Sequence, residues 1–108
     1  MKYLRIKRKK EFEKILRSGK RAHAETLSIV YLPVESPARM AVCVGKKFGK
    51  SVVRNRIKRL LREAFRPFSE TIKPCAVLLI PRVRNEYSYA AFSRDMEKLL
   101  KKERLLES

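Results

Sequence analysis

The sequence predicts an α+β fold in which a small mixed sheet carries helices packed against it. Three segments have apolar residues at helical spacing, and three others are apolar or β-branched runs of strand length. Glycine or proline separates most of these segments. The apolar fraction of 44% supports a folded core, and 108 residues correspond to one domain over residues 1–108. The predicted element order is α-β-β-α-β-α, arranged as a sandwich.

The first half of the chain is predicted to contain one helix and a pair of strands. Residues 9–17 form a short amphipathic helix, because apolar residues fall at i, i+3 and i+4 and a Ser-Gly pair follows. Residues 26–32 and 39–44 are rich in β-formers, and prolines break the pattern between them. These two strands are therefore predicted to pair as an antiparallel hairpin.

The second half is predicted to contain two helices with a strand between them. A helix over residues 51–66 follows a glycine-bracketed loop and ends at the next proline. The near-continuous apolar run at 76–80 is typical of a strand buried on both faces. The last helix starts at Ser88 or Tyr89 and runs to about Arg104. The strands on either side of the 51–66 helix could form a β-α-β crossover.

Charge is the strongest global feature of the chain. Twenty-eight Lys and Arg against eleven Asp and Glu give a formal net charge of +17, which favours a polyanionic partner. Nineteen of these cations lie within residues 2–21 and 46–66, a clustering typical of nucleic-acid binding. An anionic membrane is the weaker alternative, because no apolar run approaches the roughly 20 residues that span a bilayer. We therefore expect a cytosolic protein that does not bind membranes.

The helix at 51–66 has one apolar and one cationic side. Arg54, Lys58 and Arg62 are stacked at i, i+4 and i+8, and each such like-charge pair costs about 0.2–0.5 kcal/mol in an isolated helix. A bound anion explains this arrangement better than a solvated face does. The predicted core stripe comprises Val53, Ile57, Leu60, Leu61 and Ala64.

The loop before this helix extends the cationic side. Two glycines bracket its lysines and let the backbone approach a ligand, and free N–H groups at the helix start favour an anion. Arginine can hold two phosphate oxygens at once, and an amide can donate to phosphate or read a base edge. The predicted RNA-binding set is Lys46, Lys47, Lys50, Arg54, Asn55, Arg56, Lys58, Arg59, Arg62 and Arg66.

The sequence offers no evident active site. Asp95 is the only Asp, whereas metal-dependent nucleases need clustered carboxylates. Glu11 and Glu13 diverge on a helix, and His23 has no neighbouring partner in the sequence. The two cysteines do not have zinc-site spacing and are predicted to be small buried hydrophobes. We therefore predict no catalytic residue and no metal ligand, so that a partner supplies any chemistry.

Residues 45–66 closely resemble the motif of the bacterial ribonuclease P protein subunit. The Arg-Asn-Arg core at 54–56, followed by Ile-Lys-Arg and Arg-Glu-Ala-Phe-Arg, carries the resemblance. Phe12 in an early helix and the run at 77–82 also fall in the order of that family. The resemblance implies an accessory subunit of the ribonucleoprotein that removes the 5′ leader of precursor tRNA. It also implies a left-handed β-α-β crossover, an exception to the usual hand.

The family resemblance further implies how the work is divided. The catalytic RNA subunit uses Mg²⁺, while the protein binds no cofactor of its own and joins the RNA as a monomer in a one-to-one complex. A cleft between the sheet and the first helix accepts the single-stranded leader. In the loop before the motif helix, Gly45 stands where the family usually has Ser. In the cleft, two positions lack their usual aromatics, so stacking on the leader is expected to be weaker here or to involve Tyr31 or Tyr3 instead. The expected cleft residues are Phe12, Leu16, Val30 and Tyr31, of which Leu16 and Val30 replace aromatics.

Two other readings share part of this evidence. A general RNA-packing protein, such as a ribosomal protein, would have the same charge but no preference for leader-bearing precursors. A helix-turn-helix DNA binder would need a helix packed just upstream of residue 51, where the sequence has a strand and a glycine loop.

Overall fold

The computed structural model describes residues 3–107, and these form a five-stranded sheet with three α-helices. Two short 3-10 turns, Lys46–Phe48 and Arg66–Phe68, flank the middle helix. The strands are β1 (Tyr3–Arg5), β2 (Lys20–His23), β3 (Leu27–Pro33), β4 (Ala38–Val42) and β5 (Cys75–Pro81). The helices are α1 (Lys9–Ser18), α2 (Ser51–Phe65) and α3 (Tyr89–Lys102).

The sheet is mixed and has the order β1-β4-β5-β3-β2. Strand β4 pairs in parallel with β1 and β5, whereas β3 pairs antiparallel with β5 and β2. The parallel neighbours β4 and β5 are joined through α2, so the predicted β-α-β unit is confirmed, while its left hand stays a prediction. The central place of β5 explains its apolar sequence, because both of its faces are covered.

The predicted hairpin between β3 and β4 is wrong. Strand β5 lies between them, with Leu78 opposite Val30 on one side and opposite Ala41 on the other. Hydrophobic pattern alone cannot distinguish a hairpin from two strands separated by a third, more apolar one. The pattern also missed β1 and β2, which have only three and four residues and too few apolar side chains to show a strand pattern.

Two clusters of buried side chains form the core, one on each face of the sheet. Helices α2 and α3 cover the face that carries Ile29, Val77 and Leu79. Helix α1 covers the opposite face, where Ile15 packs with Val30 and Leu78. Neighbouring strand residues alternate between the two clusters, as the period of two along a strand requires.

The predicted core stripe of α2 is largely confirmed. Ile57, Leu61 and Ala64 are fully buried, and Leu60 is half-buried. The placement of Val53 in the core is wrong, because the first turn of α2 extends beyond the core and leaves Val53 43% exposed. Phe65, which was outside the predicted stripe, is instead fully buried and packs edge-on against Tyr3 of β1, with 5.1 Å between ring centroids.

A buried carboxylate ties α3 to the start of β3. Asp95 Oδ2 accepts hydrogen bonds from the backbone N–H of Thr26 at 2.8 Å and from its hydroxyl at 2.6 Å. Arg94 Nε donates to Oδ1 at 3.2 Å. Burial raises the pKa of the Asp95 carboxyl, but the hydrogen bonds from Thr26 and Arg94 outweigh it, so that the pKa lies below its ordinary value. The sole aspartate is therefore a structural residue.

We predict that Asp95→Asn lowers the free energy of unfolding at pH 7 by about 1.5–3 kcal/mol, because hydrogen bonds to a charged acceptor are lost. Since the folded pKa is depressed, this contribution is fully present above the unfolded value of 3.8 and is lost as the pH falls through the folded pKa. Denaturant unfolding at several pH values measures it. Glu97→Gln, which breaks only an exposed pair with Lys101, is the control and should change stability little. A wild-type advantage that stays constant below pH 3.8 would contradict the prediction.

Candidate nucleic-acid interface

The outer side of α2 carries two groups of cations, one exposed and one half-buried. Arg56 and Arg59 are exposed, as is the amide of Asn55, and Arg66 is exposed in the turn that follows the helix. The row of Arg54, Lys58 and Arg62, here named the cationic stripe, is half-buried along the flank of the helix. Glu63 is the only acid within α2. The arrangement leaves a face of like charge whose repulsion an RNA backbone would relieve.

The glycine-bracketed loop at residues 45–50 continues this face. Its 3-10 turn is anchored by buried Phe48, while Lys46, Lys47 and Lys50 are exposed around it. Gly49 has φ of +116°, a conformation that side-chain-bearing residues rarely adopt, so glycine is required for the chain to enter α2. No side chain caps the first turn of α2, which leaves its N–H groups beside these lysines.

Arg54 links the loop to the helix. Its Nε donates to the Gly49 carbonyl at 3.1 Å, and its guanidinium also donates to the Ser51 hydroxyl at 3.1 Å. These hydrogen bonds engage some of the N–H groups of Arg54 and fix the loop against the start of the helix. The remaining N–H groups can face a ligand, so Arg54 can both position the loop and contact RNA.

Arg62 lies where α2 meets the N-terminal strand. Burial and the nearby charge of Arg5 lower the pKa of the Arg62 guanidinium. The sequence pattern did not single out Arg5 as a site residue, because it is one of many cations near the N-terminus, and Lys2 of that group lies outside the described residues. Only the fold shows that Arg5 approaches α2.

The four residues expected at the leader cleft do not share one surface. Phe12 is half-buried on α1 and Leu16 is 41% exposed. Val30 is buried beneath α1, where it packs in the same cluster as Ile15. Tyr31 is corrected: it faces the α2–α3 side of the sheet, because successive strand residues point to opposite faces.

Tyr31 has a structural role in that core. Its hydroxyl donates to Glu103 Oε1 at 2.7 Å. Burial, followed by this hydrogen bond, raises the pKa of Tyr31 to about 12. Tyr3, the other alternative for leader stacking, is buried against Phe65. Neither ring can therefore stack on a base without leaving the core.

The described residues contain no group of three or more His, Cys, Asp or Glu side chains that could hold a metal ion. Cys75 is buried and Cys43 half-buried, and burial raises the pKa of the Cys43 thiol and raises that of Cys75 to about 11. Over residues 3–107, no helix is long and apolar enough to cross a membrane.

Comparison with known proteins identifies the family. The family model described as Ribonuclease P matches residues 1–104. The chain belongs to the ribonuclease P protein family. It is 38% identical over 103 residues to the ribonuclease P protein component of Clostridium kluyveri, covering 91% of this chain and 92% of that one. It is 35% identical over 109 residues to that of Caldanaerobacter subterraneus subsp. tengcongensis, covering 98% and 94%.

Solved structures of ribonuclease P proteins have the same fold. The protein from Thermotoga maritima has a TM-score of 0.80 at 27% identity, covering 91% of this chain and 96% of that one. The protein from Staphylococcus aureus has a TM-score of 0.85 at 24% identity, covering 95% and 97%. These matches confirm the predicted α+β fold, while the family model and the relative from Clostridium kluyveri confirm the family expected from the Arg-Asn-Arg motif.

Family membership confirms the expected role of accessory subunit in a ribonucleoprotein endonuclease of tRNA 5′ maturation. It implies an RNA subunit as partner and tRNA as substrate. The helix-turn-helix alternative is excluded, because a 3-10 turn and β4 precede α2 within the described chain. The alternative of a general RNA-packing protein shares only the positive charge and does not account for the Arg-Asn-Arg motif.

We predict that Lys58→Gln stabilises the free protein by about 0.4–1 kcal/mol at low salt, because it removes two like-charge pairs, with Arg54 and Arg62. The gain should vanish at about 1 M salt, where charges are screened over roughly 3 Å. Thermal unfolding across a salt series measures this. Lys101→Gln, which breaks an i,i+4 pair with Glu97 at 3.4 Å, is the control and should have the opposite sign. Destabilisation of both variants alike would show that no repulsion is stored in the stripe.

Proposed function

We propose that α2 and the loop at residues 45–50 bind the catalytic RNA subunit of ribonuclease P. The observation that carries this proposal is the continuous cationic face of α2, with a single acid in the helix and an uncapped N-terminus beside three lysines. Arginine forks are suited to phosphate oxygens in pairs, and Asn55 adds an amide on the same side. The sequence-predicted RNA-binding set belongs to this proposed surface, except Arg66, which lies in the turn just after α2 and extends it.

The chemistry in this proposal belongs to the RNA. The protein offers positive charge, which neutralises phosphates and lets two polyanions, the catalytic RNA and the precursor, approach each other. Mg²⁺ is expected to be held through the RNA. The proposal includes a monomeric protein in a one-to-one complex and a cytoplasmic location, where bacterial RNA is made and processed.

The leader of precursor tRNA is proposed to lie along α1. Phe12 is half-buried and presents part of its ring beside the sheet, and Leu16 is exposed one turn further on. An unpaired base can stack on an aromatic ring, and such contacts contribute about 1–3 kcal/mol per base. An aliphatic Leu16 supports one apolar contact but no stacking, so Phe12 is the main base-binding residue of this cleft.

Reconstitution tests the proposed function. Adding the protein to a cognate catalytic RNA at low Mg²⁺ should restore cleavage of precursor tRNA at the mature 5′ end, measured by gel assay of the 5′ products. Folded protein that leaves cleavage unchanged with its cognate RNA would refute the proposal. The double variant Arg54→Gln, Arg59→Gln should bind the RNA more weakly. Its plot of log affinity against log salt should be shallower by about 1–2.

We predict that Phe12→Leu lowers the preference for leader-bearing precursor over mature tRNA by about fivefold or more, because an apolar residue is kept but base stacking is lost. Affinities of the holoenzyme for both RNAs, measured at one salt concentration, give this ratio. Leu16→Met is the control, since it keeps an apolar side chain at a position without a ring. A ratio near one for the wild type would favour a general RNA-packing protein.

A further inference from the structure

A small cavity opens where β1 ends beside β4. Strand β1 stops at Arg5, and the N–H of Ile6 donates to the Met40 carbonyl at 3.0 Å as the last bond of this pair. Strand β4 continues to Val42, so its outer edge borders the cavity, which has a volume of about 210 Å³. The wall opposite the N-terminal segment is the flank of α2.

The lining of this cavity is cationic. Arg5 and Lys7 contribute from the N-terminal segment, and Lys58 and Arg62 contribute from α2. The residues that line it include no acid, and within residues 3–107 none of the four cations forms an ion pair. Four positive charges are therefore held around one space without a counter-charge from the protein.

Glu11, which lines a neighbouring pocket together with Arg5 and Lys7, is already paired with another cation. Glu11 binds Arg39 with 2.8 Å between Oε2 and the guanidinium, on the neighbouring surface of α1 and β4. Meanwhile the charge of Arg5 contributes to lowering the pKa of Arg62, a sign that the two guanidiniums repel each other. An anion from outside the chain would neutralise this cluster.

Apolar contacts on both sides force these cations together. Tyr3 packs edge-on against Phe65 of α2, and Ile6 is buried in the α1-side cluster with Ala41. These two anchors hold the backbone of Arg5 beside α2, while its side chain is exposed. Repulsion between the cations of the N-terminal segment and those of α2 thus opposes the packing of β1 against the helix. An anion bound between them would attract both groups and favour this packing.

The chemistry of the lining specifies a phosphate group. Two guanidiniums can each hold two oxygens of one tetrahedral oxyanion, and the two ammonium groups add single donors. Phe12 borders the same cavity, so a nucleotide bound through its phosphate would have an aromatic face within reach. A bare inorganic anion would leave that ring unused.

We propose that this cavity binds a backbone phosphate of RNA between Arg5 and Lys7 of the N-terminal segment and Lys58 and Arg62 of α2. The bound phosphate fastens β1 to α2 and joins the α2 surface to the leader cleft. This inference rests on the proposed function, since it assumes that the surrounding α2 face meets RNA. It adds Arg5 and Lys7 to the site.

The test uses the full chain and the cognate catalytic RNA. The double variant Arg5→Gln, Lys7→Gln is compared with Lys98→Gln, Lys102→Gln, which removes two exposed charges from α3. The first should weaken binding of the catalytic RNA, or of leader-bearing precursor by the holoenzyme, at least about tenfold, because charge-assisted bonds to phosphate are lost, and the second should weaken either by less than about threefold. Equal losses in the two variants for both RNAs would overturn the proposal, because the cavity would then act only through net charge.

Two binding measurements with the Arg5→Gln, Lys7→Gln variant distinguish the possible sources of the phosphate. Weaker binding of catalytic RNA alone assigns the phosphate to the RNA subunit. Weaker binding only of leader-bearing precursor to the holoenzyme, with mature tRNA unaffected, assigns it to the leader. Failure of the wild-type protein to bind catalytic RNA would instead reject the proposed function itself, so the two failures are distinguishable.

A second measurement needs no variant. Inorganic phosphate at saturation should slow hydrogen exchange of the Ile6 amide by at least about fivefold relative to sodium chloride of equal ionic strength, because binding stabilises the docked strand. The amide of Phe92, on distant α3, serves as the reference for global stabilisation. Equal protection of Ile6 by phosphate and by chloride would overturn the proposal even where the substituted protein fails to fold.

Discussion

The burial of β5 on both faces is the constraint on which the rest of the structure depends. Its parallel pairing with β4 requires the chain to cross from one end of the sheet to the other, and α2 makes that crossing. Its antiparallel pairing with β3 fixes the opposite half of the sheet. Because α2 must cover the sheet with Ile57 and Leu61, its other side is turned outward. The location of the cations on the outer side of α2 is thus a consequence of strand order.

The same packing lets the helix tolerate its own charge. A row of cations at i, i+4 and i+8 opposes helix formation in an isolated peptide by a few tenths of a kcal/mol per pair. Full burial of a leucine or isoleucine side chain contributes about 1.5–3 kcal/mol, which exceeds that repulsion. The apolar side of α2 therefore holds the cationic side in place before any RNA is present. The repulsion that remains is available to be relieved by RNA on binding.

Some features were predictable from the sequence because they are local. The periodicity of α2 and the loop that precedes it depend on neighbouring residues, so the cationic surface could be predicted nearly complete. The place of β5 between β3 and β4 depends on residues far apart in the chain, and a hairpin fitted the local pattern equally well. Tyr31 was assigned to the wrong face for the same reason, since a strand pattern shows which residues alternate but not which helix covers each side. Val53 shows the opposite error, because helical periodicity continued past the point where the core ends.

The N-terminal strand shows how a nonlocal contact gives ordinary residues a role. In the sequence, Arg5 and Lys7 are two of many cations, and three residues are too few to mark β1 as a strand. The Tyr3–Phe65 contact and the burial of Ile6 bring Arg5 near Arg62 of α2, and Lys7 lines the same cavity. Apolar packing thus gathers like charges that would otherwise separate, and among residues 3–107 no acid pairs with them. If RNA supplies an anion there, docking of β1 and binding of RNA stabilise each other, and the extent of the interface depends on the partner as well as on the fold.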